Sequence, residues 1–184
     1  MIEVEIKGYA DDEVFKRVRK NFQLIRKEYH EDTYYAHPCR DFSSTDEALR
    51  IRIRRFNGHF EAFLTYKGPK IDQHSKSRVE IEVPINDPDK HAEILRNLGF
   101  SEVLTLDKVR EKYYVDKGVV IALDEVSGIG KFVEIETFAE REEEVPRKVS
   151  FLREVLGDLG VKRFERRSYL ELLLEKDGSH GKTG

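Results

Sequence analysis

Ionic side chains recur at every second position along stretch after stretch of this chain. Glu3, Glu5 and Lys7 alternate with Ile2, Val4 and Ile6. Arg50, Arg52 and Arg54 alternate with Leu49, Ile51 and Ile53. Arg78, Glu80 and Glu82 oppose Val79, Ile81 and Val83, and Glu134 and Glu136 oppose Val133 and Ile135. Lys67 closes one alternating segment, Lys108, Arg110 and Lys112 share one phase, and Asp124 follows an apolar run. Guanidinium forks and ammonium groups match phosphate oxygens. Clustered carboxylates match hard divalent cations, above all magnesium bridging to substrate phosphate. Candidate bases are Lys7, Arg50, Arg52, Arg54, Lys67, Arg78, Lys108 and Arg110; candidate acids are Glu3, Glu5, Glu80, Glu82, Asp124, Glu134 and Glu136. Together they describe a metal–polyphosphate site.

Period two means strands, each with one apolar and one ionic face. For any single strand, a half-exposed sheet explains this equally well. The recurrence in at least six strands points to a sheet closed on itself, its ionic faces turned into one lumen. The helices then cover the apolar outside. Burying either set of charges alone would cost several kcal/mol per uncompensated ion, so acids and bases must be buried together.

The elements follow from the same patterning. A strand over residues 2–8 precedes a helix over 11–27 with an apolar stripe of Val14, Phe15, Val18, Phe22 and Ile25. Tyr29 to His37 reads as a strand. Asn57-Gly58 supplies the two positive φ angles of a type I′ turn between strands 48–57 and 59–67. Gly68 to Lys76 reads as a polar loop, and 77–85 as a strand. Asp87-Pro88 starts a helix that turns Ile94, Leu95 and Leu98 inward and stops at Gly99. Strands follow over 100–116, 119–126 and 132–138, then helices over 146–159 and 168–176. The order of elements in 3–67 resembles that in 78–136, a hint of duplication. One domain is expected over 1–176, with a disordered tail over 177–184.

The ordered set of segments resembles the CYTH family, the triphosphate tunnel metalloenzymes. It consists of Glu3-x-Glu5-x-Lys7, Leu-Arg50-Ile-Arg52, Leu-Thr-Tyr-Lys67-Gly-Pro, Arg78-x-Glu80-x-Glu82, Lys108-x-Arg110, Leu-Asp124-Glu-Val and Phe-Val-Glu134-Ile-Glu136. The wording is most similar to the class IV adenylyl cyclase-like branch, and it covers about residues 1–170. The resemblance implies a mainly β fold with flanking helices (α+β), a closed eight-stranded antiparallel β-barrel with a charged lumen. It implies Glu3, Glu5, Asp124, Glu134 and Glu136 near Mg2+ or Mn2+. It implies Lys7, Arg50, Arg52, Lys67, Arg78, Lys108 and Arg110 along the triphosphate. Glu80 and Glu82 would hold basic side chains, and Lys7 is the candidate general base or water-orienting group. A homodimer is one assembly the family implies.

The activity so implied is conversion of ATP to cyclic AMP and pyrophosphate. Hydrolysis of tripolyphosphate, a nucleoside triphosphate or thiamine triphosphate uses the same lumen. A polyphosphate- or nucleotide-binding module without turnover is a third class, against which the full carboxylate set argues.

Composition excludes other classes. The 184 residues carry a net charge of −3 from 33 basic and 36 acidic side chains, which argues against a general nucleic-acid binder. Apolar runs are too short to span a membrane. Acids stand where a leader would need apolar residues, so the cytoplasm is the expected compartment. One cysteine, Cys39, allows no internal disulfide and no cysteine-based zinc site. The histidines, among them His37, His59 and His74, lack ligand spacing, and His74 falls in a loop that could close over the tunnel mouth.

Overall fold

The computed structural model describes residues 2–70 and 77–180. Eight strands close into one barrel: β1 (Ile2–Tyr9), β2 (Gln23–Ala36), β3 (Ala48–Phe56), β4 (His59–Lys70), β5 (Arg78–Ile85), β6 (Ser101–Asp116), β7 (Val119–Val126) and β8 (Gly130–Ala139). Around the barrel the order is β1-β5-β4-β3-β2-β6-β7-β8, with every neighbouring pair antiparallel. The helices are α1 (Asp12–Asn21), the short α2 (Phe42–Thr45), α3 (Pro88–Asn97), α4 (Val145–Asp158) and α5 (Tyr169–His180). The strand–helix–three-strand order of β1 to β4 recurs in β5 to β8, as the duplication hint anticipates.

The barrel is inside out. Val4 and Ile6 of β1, Ile121 and Leu123 of β7 and Val133 and Ile135 of β8 form its outer face. They pack under Val14, Phe15 and Val18 of α1 and under Val149, Leu152 and Leu156 of α4. Each such buried side chain contributes roughly 1.5–3 kcal/mol, so this layer holds the charged lumen together from outside. A second cluster joins Tyr169 and Leu172 of α5 to Leu106, Val126 and Phe132. Leu95 of α3 covers Tyr35 and Ile51. On the outer face of β5, Val79, Ile81 and Val83 are exposed, while Ile85 packs near Leu95 of α3.

The tight turns form where sequence requires them. Asn57 and Gly58 take φ of 48° and 77° between β3 and β4. Asp11 caps α1 and Asp87 caps α3, each accepting from a backbone N–H in the first turn.

Several boundaries differ from the sequence pattern. Helix α1 ends at Asn21 and not at residue 27, because the chain turns extended at Phe22 and Gln23 pairs with Tyr114 of β6. Ile25 is therefore an exposed strand residue and not part of the helical stripe. In α3 only Leu95 is buried; Ile94 and Leu98 are 55% and 65% exposed, since the helix meets the barrel along a narrow line. Strand β4 runs on to Lys70 through a register shift after Lys67, where a loop is expected. Helix α5 continues through residues 177–180, so the expected tail is helical there, and 181–184 lie outside the described residues. The loop histidine His74 also lies outside them. Among the described residues no helix is long and apolar enough to cross a membrane.

Candidate active site

Alternation turns ionic residues of β1, β3, β4, β5, β6 and β8 towards a cavity of about 980 Å³. Its wall includes Glu3, Glu5, Arg50, Arg52, Lys67, Arg78, Glu80, Glu82, Lys108, Arg110, Glu134 and Glu136. Of the residues picked from the sequence, Lys7 and Asp124 do not reach that wall. Lys7 is buried behind α5, donates to the Arg167 carbonyl and has its Nζ 4.1 Å from the centre of the Tyr169 ring. Asp124 is wholly buried and its oxygens are engaged. It accepts from Arg110 at 2.7 and 2.5 Å, from Lys108 at 3.1 Å and from the Tyr169 hydroxyl at 2.8 Å. The same Arg110 guanidinium also contacts Glu134.

The other cations are held in turn by acids. Lys67 sits 3.0 Å from Glu3 and 2.7 Å from Glu80. Arg78 donates to the carbonyls of Asp46 and Gly68 at 3.1 and 3.2 Å, which fixes it where β4 meets β5. Arg52 makes a two-pronged pair with Asp32 at 2.6 Å on each arm. Arg50 reaches the same Asp32 at 3.5 Å and Glu80 at 3.7 Å. Its Nε is buried with no acceptor among the described residues. A buried donor left unpaired is costly, and an incoming phosphate oxygen is the acceptor it lacks.

These contacts set protonation. Burial raises the Glu3 carboxyl to about 8, with Lys67 opposing and Glu80 and Glu5 adding to the rise. Burial alone would push Glu80 up as well, but Lys67, Glu3 and Arg50 hold it well below the carboxylate range. Burial and the adjacent Arg110 bring Lys108 down to about 8, against the pull of Asp124 and Glu134. Asp32 and Asp124 stay ionised because their guanidinium partners outweigh burial.

The fit to a divalent cation can be judged from the donors. Glu5 of β1 and Glu136 of β8 are register partners, so two carboxylates stand opposite each other on the cavity wall. Like charges placed directly opposite destabilise a sheet unless something lies between them. Among the described residues no three such groups are arranged to hold a metal by themselves. Magnesium characteristically takes one or two carboxylates and completes its shell with water and substrate phosphate, so the donor set fits it.

Sequence patterning missed part of the site. Asp32, His30 and Glu28 alternate on β2 and are almost fully buried. His30 meets Glu28 through Nε2 and remains neutral, because burial and the Arg52 and Lys108 cations disfavour its charged form. The signal was the alternation Glu28-x-His30-x-Asp32, the same one that marked the other strands. Tyr169 had no strand pattern to announce it, since it enters from α5.

The CYTH domain model matches residues 1–169. The chain is 43% identical to "Putative adenylate cyclase MJ0240" of Methanocaldococcus jannaschii, over 94% of this chain and 98% of that one. It is 30% identical to adenylate cyclase CyaB of Aeromonas hydrophila, over 81% and 74% of the two chains. The solved structure of the PH1819 protein from Pyrococcus horikoshii OT3 is 66% identical, with a TM-score of 0.94 over 95% of this chain and 99% of that one. Family model, relatives and barrel agree, and the chain belongs to the CYTH domain family of enzymes.

Proposed function

We propose that this chain is a divalent-metal-dependent enzyme that converts ATP to cyclic AMP and pyrophosphate inside its charged barrel. The observation that carries the proposal is the cavity wall, on which buried cations face the opposed carboxylates Glu5 and Glu136. A binding module for anions alone would gain nothing from that carboxylate pair.

Arg50, Arg52, Lys67, Arg78, Lys108 and Arg110 line the path of the triphosphate and offset the charge that develops as it reacts. Asp32 and Asp124 serve these cations: each fixes a guanidinium in one orientation before substrate arrives. Glu5 and Glu136, with Glu3 and Glu134 beside them, are the proposed holders of Mg2+ or Mn2+. The cation, when bound, supplies Lewis-acid polarisation of phosphate oxygens. In the reaction the ribose 3′ oxygen forms a bond to the α-phosphorus, the bond from that phosphorus to the bridging oxygen breaks, and pyrophosphate leaves. The hydroxyl proton departs to a base. Lys7 can serve as that base only after Tyr169 moves, because it lies behind the Tyr169 ring. The curated relatives named as adenylate cyclases support this reading.

A second reading, hydrolysis of tripolyphosphate or a nucleoside triphosphate, is favoured by the wall's composition, whose cations suit phosphate and whose carboxylates suit a metal bound to it. Incubating the protein with ATP, and separately with tripolyphosphate, plus Mg2+ or Mn2+, decides between them when products are separated by chromatography. Cyclic AMP with pyrophosphate is expected. Orthophosphate without cyclic AMP would replace the cyclase with the hydrolase. No turnover of either substrate would overturn the enzymatic reading.

A further inference from the structure

Two cations on the cavity wall are held more loosely than most of the others. Arg54 and Lys112 occupy the next inward positions on β3 and β6, one step beyond Arg52 and Arg110. Arg54 comes no nearer than 3.5 Å to Glu61 and 3.9 Å to Glu82, and makes no hydrogen bond to either. Its Nε is shielded from solvent and has no acceptor among the described residues. The guanidinium is set in place over the Phe63 ring, 3.9 Å from its centre. Lys112 makes no hydrogen bond or ion pair with any described residue; it feels Glu136 and Glu28 only at longer range.

Two of the acids nearby are already committed. Glu28 is taken by Arg26 at 2.5 Å and by His30. Glu82 accepts from Thr65 at 3.1 Å. His30, which lies across from both Arg54 and Lys108, is neutral and brings no compensating charge. Burial, with the Arg110 and Arg54 cations, disfavours the charged form of Lys112 and outweighs the opposing pull of Glu136 and Glu28. Two half-buried cations, one held by loose ion pairs and the other by acids at longer range, are weakly compensated in the empty protein, and an arriving anion supplies a close partner.

Strand geometry gives the spacing. Residues two apart on one face are separated by about 7 Å, so the positions at Arg54 and Lys112 lengthen the cationic track by that much. From this placement we infer that Arg54 and Lys112 form a further phosphate subsite beyond the triphosphate track. It would take inorganic phosphate, either as the fourth group of a linear chain or as free orthophosphate. The inference rests on the proposed position of the triphosphate along Arg50, Arg52, Lys108 and Arg110.

The test is calorimetric titration in EDTA, to stop turnover, with tripolyphosphate, linear tetrapolyphosphate and orthophosphate. The wild type should bind tetrapolyphosphate at least tenfold more tightly than tripolyphosphate. The double variant Arg54→Gln/Lys112→Gln should reduce that ratio to within twofold and leave tripolyphosphate affinity within threefold of wild type. Arg54→Lys/Lys112→Arg, which keeps both charges, should retain the preference, and melting curves of both variants check folding. Orthophosphate that raises the melting temperature of the wild type but not of the glutamine variant assigns the subsite to the free ion too; tetrapolyphosphate preference without that effect assigns it to the longer chain. A preference that survives in the glutamine variant, or that is absent from the wild type, overturns the subsite alone. Failure of the wild type to bind tripolyphosphate at all would overturn the proposed function itself.

Discussion

Replacing Asp32 by Asn tests whether the lumen is held together by its acids. Asp32 is 1% exposed and grips Arg52 through two contacts of 2.6 Å, with Arg50 at 3.5 Å. Removing one partner of a buried ion pair costs about 3–5 kcal/mol, because the remaining charge stays desolvated. Asparagine keeps one acceptor oxygen, so the lower end, about 3 kcal/mol, applies. In a chain of this length each kcal/mol moves the melting temperature by about 2–4 °C, giving a fall of about 6–12 °C. The loss should be partly restored by ligand. A bound polyanion returns the missing counter-charge, so saturating tripolyphosphate should raise the melting temperature of the variant more than that of the wild type. Calorimetric melts with and without tripolyphosphate measure both quantities. A fall below about 2 °C, or equal ligand stabilisation in the two proteins, would refute the idea that Asp32 neutralises the arginine pair.

Three other outcomes follow from the same contacts. Glu47, Glu111 and Glu165 each sit at about 2 against an ordinary 4.5; Thr45 and Tyr66 hold Glu47 down, Arg19 outweighs burial at Glu111, and Arg167 holds Glu165. Their folded values lie below the unfolded ones, so their stabilisation is complete above pH 4.5 and disappears as pH falls towards 2. Urea midpoints measured at pH 7, 4 and 3 should decrease in that order, and a constant midpoint would contradict the assignment. Gly8→Ala should destabilise the protein by about 1–3 kcal/mol, since the new Cβ would collide with Val161 Cγ1 and lie 3.2 Å from the Arg163 carbonyl. A thermal melt unchanged from wild type would show that the 161–165 segment yields freely. Glu136→Gln should leave metal-free stability unchanged or raise it, by relieving the charge opposite Glu5, while abolishing any rise in melting temperature on adding Mg2+ with tripolyphosphate. An undiminished response to Mg2+ would remove Glu136 from the metal-holding set.

The barrel was legible because its lumen is ionic. In an ordinary barrel the inward residues are apolar and merge with the core pattern; here each inward residue is marked by charge, and Arg50-x-Arg52-x-Arg54 declares its own face. The hairpin was legible from Asn57-Gly58 for a local reason, two adjacent residues that tolerate positive φ. What escaped depends on contacts distant in sequence. Phe22 and Ile25 continue the spacing of the α1 stripe, and only the pairing of Gln23 with Tyr114 pulls that segment into a strand. Asp124 is chemically apt for a metal, yet its neighbours Arg110, Lys108 and Tyr169 occupy its oxygens. Spacing along one strand cannot show whether a carboxylate is already engaged by another strand or by the final helix.

The closure of the barrel has a consequence for how the molecule is made. Strand β1 pairs along its whole length with β8, but among the described residues it meets β5 through only Ile2–Val79 and Glu3–Arg78. The first strand synthesised must therefore wait for the last before most of its backbone finds a partner. Loop-closure entropy must be met before those distant contacts form, which places the join late and makes it slow. Glu3, Glu5 and Lys7 take their positions only at that step. A nascent chain, however compact, is thus without its first acidic rung until synthesis has passed β8, and ring closure coincides with the onset of competence. The short β1–β5 seam is the natural place for the ring to reopen first, and its amides should exchange with solvent ahead of those along β1–β8.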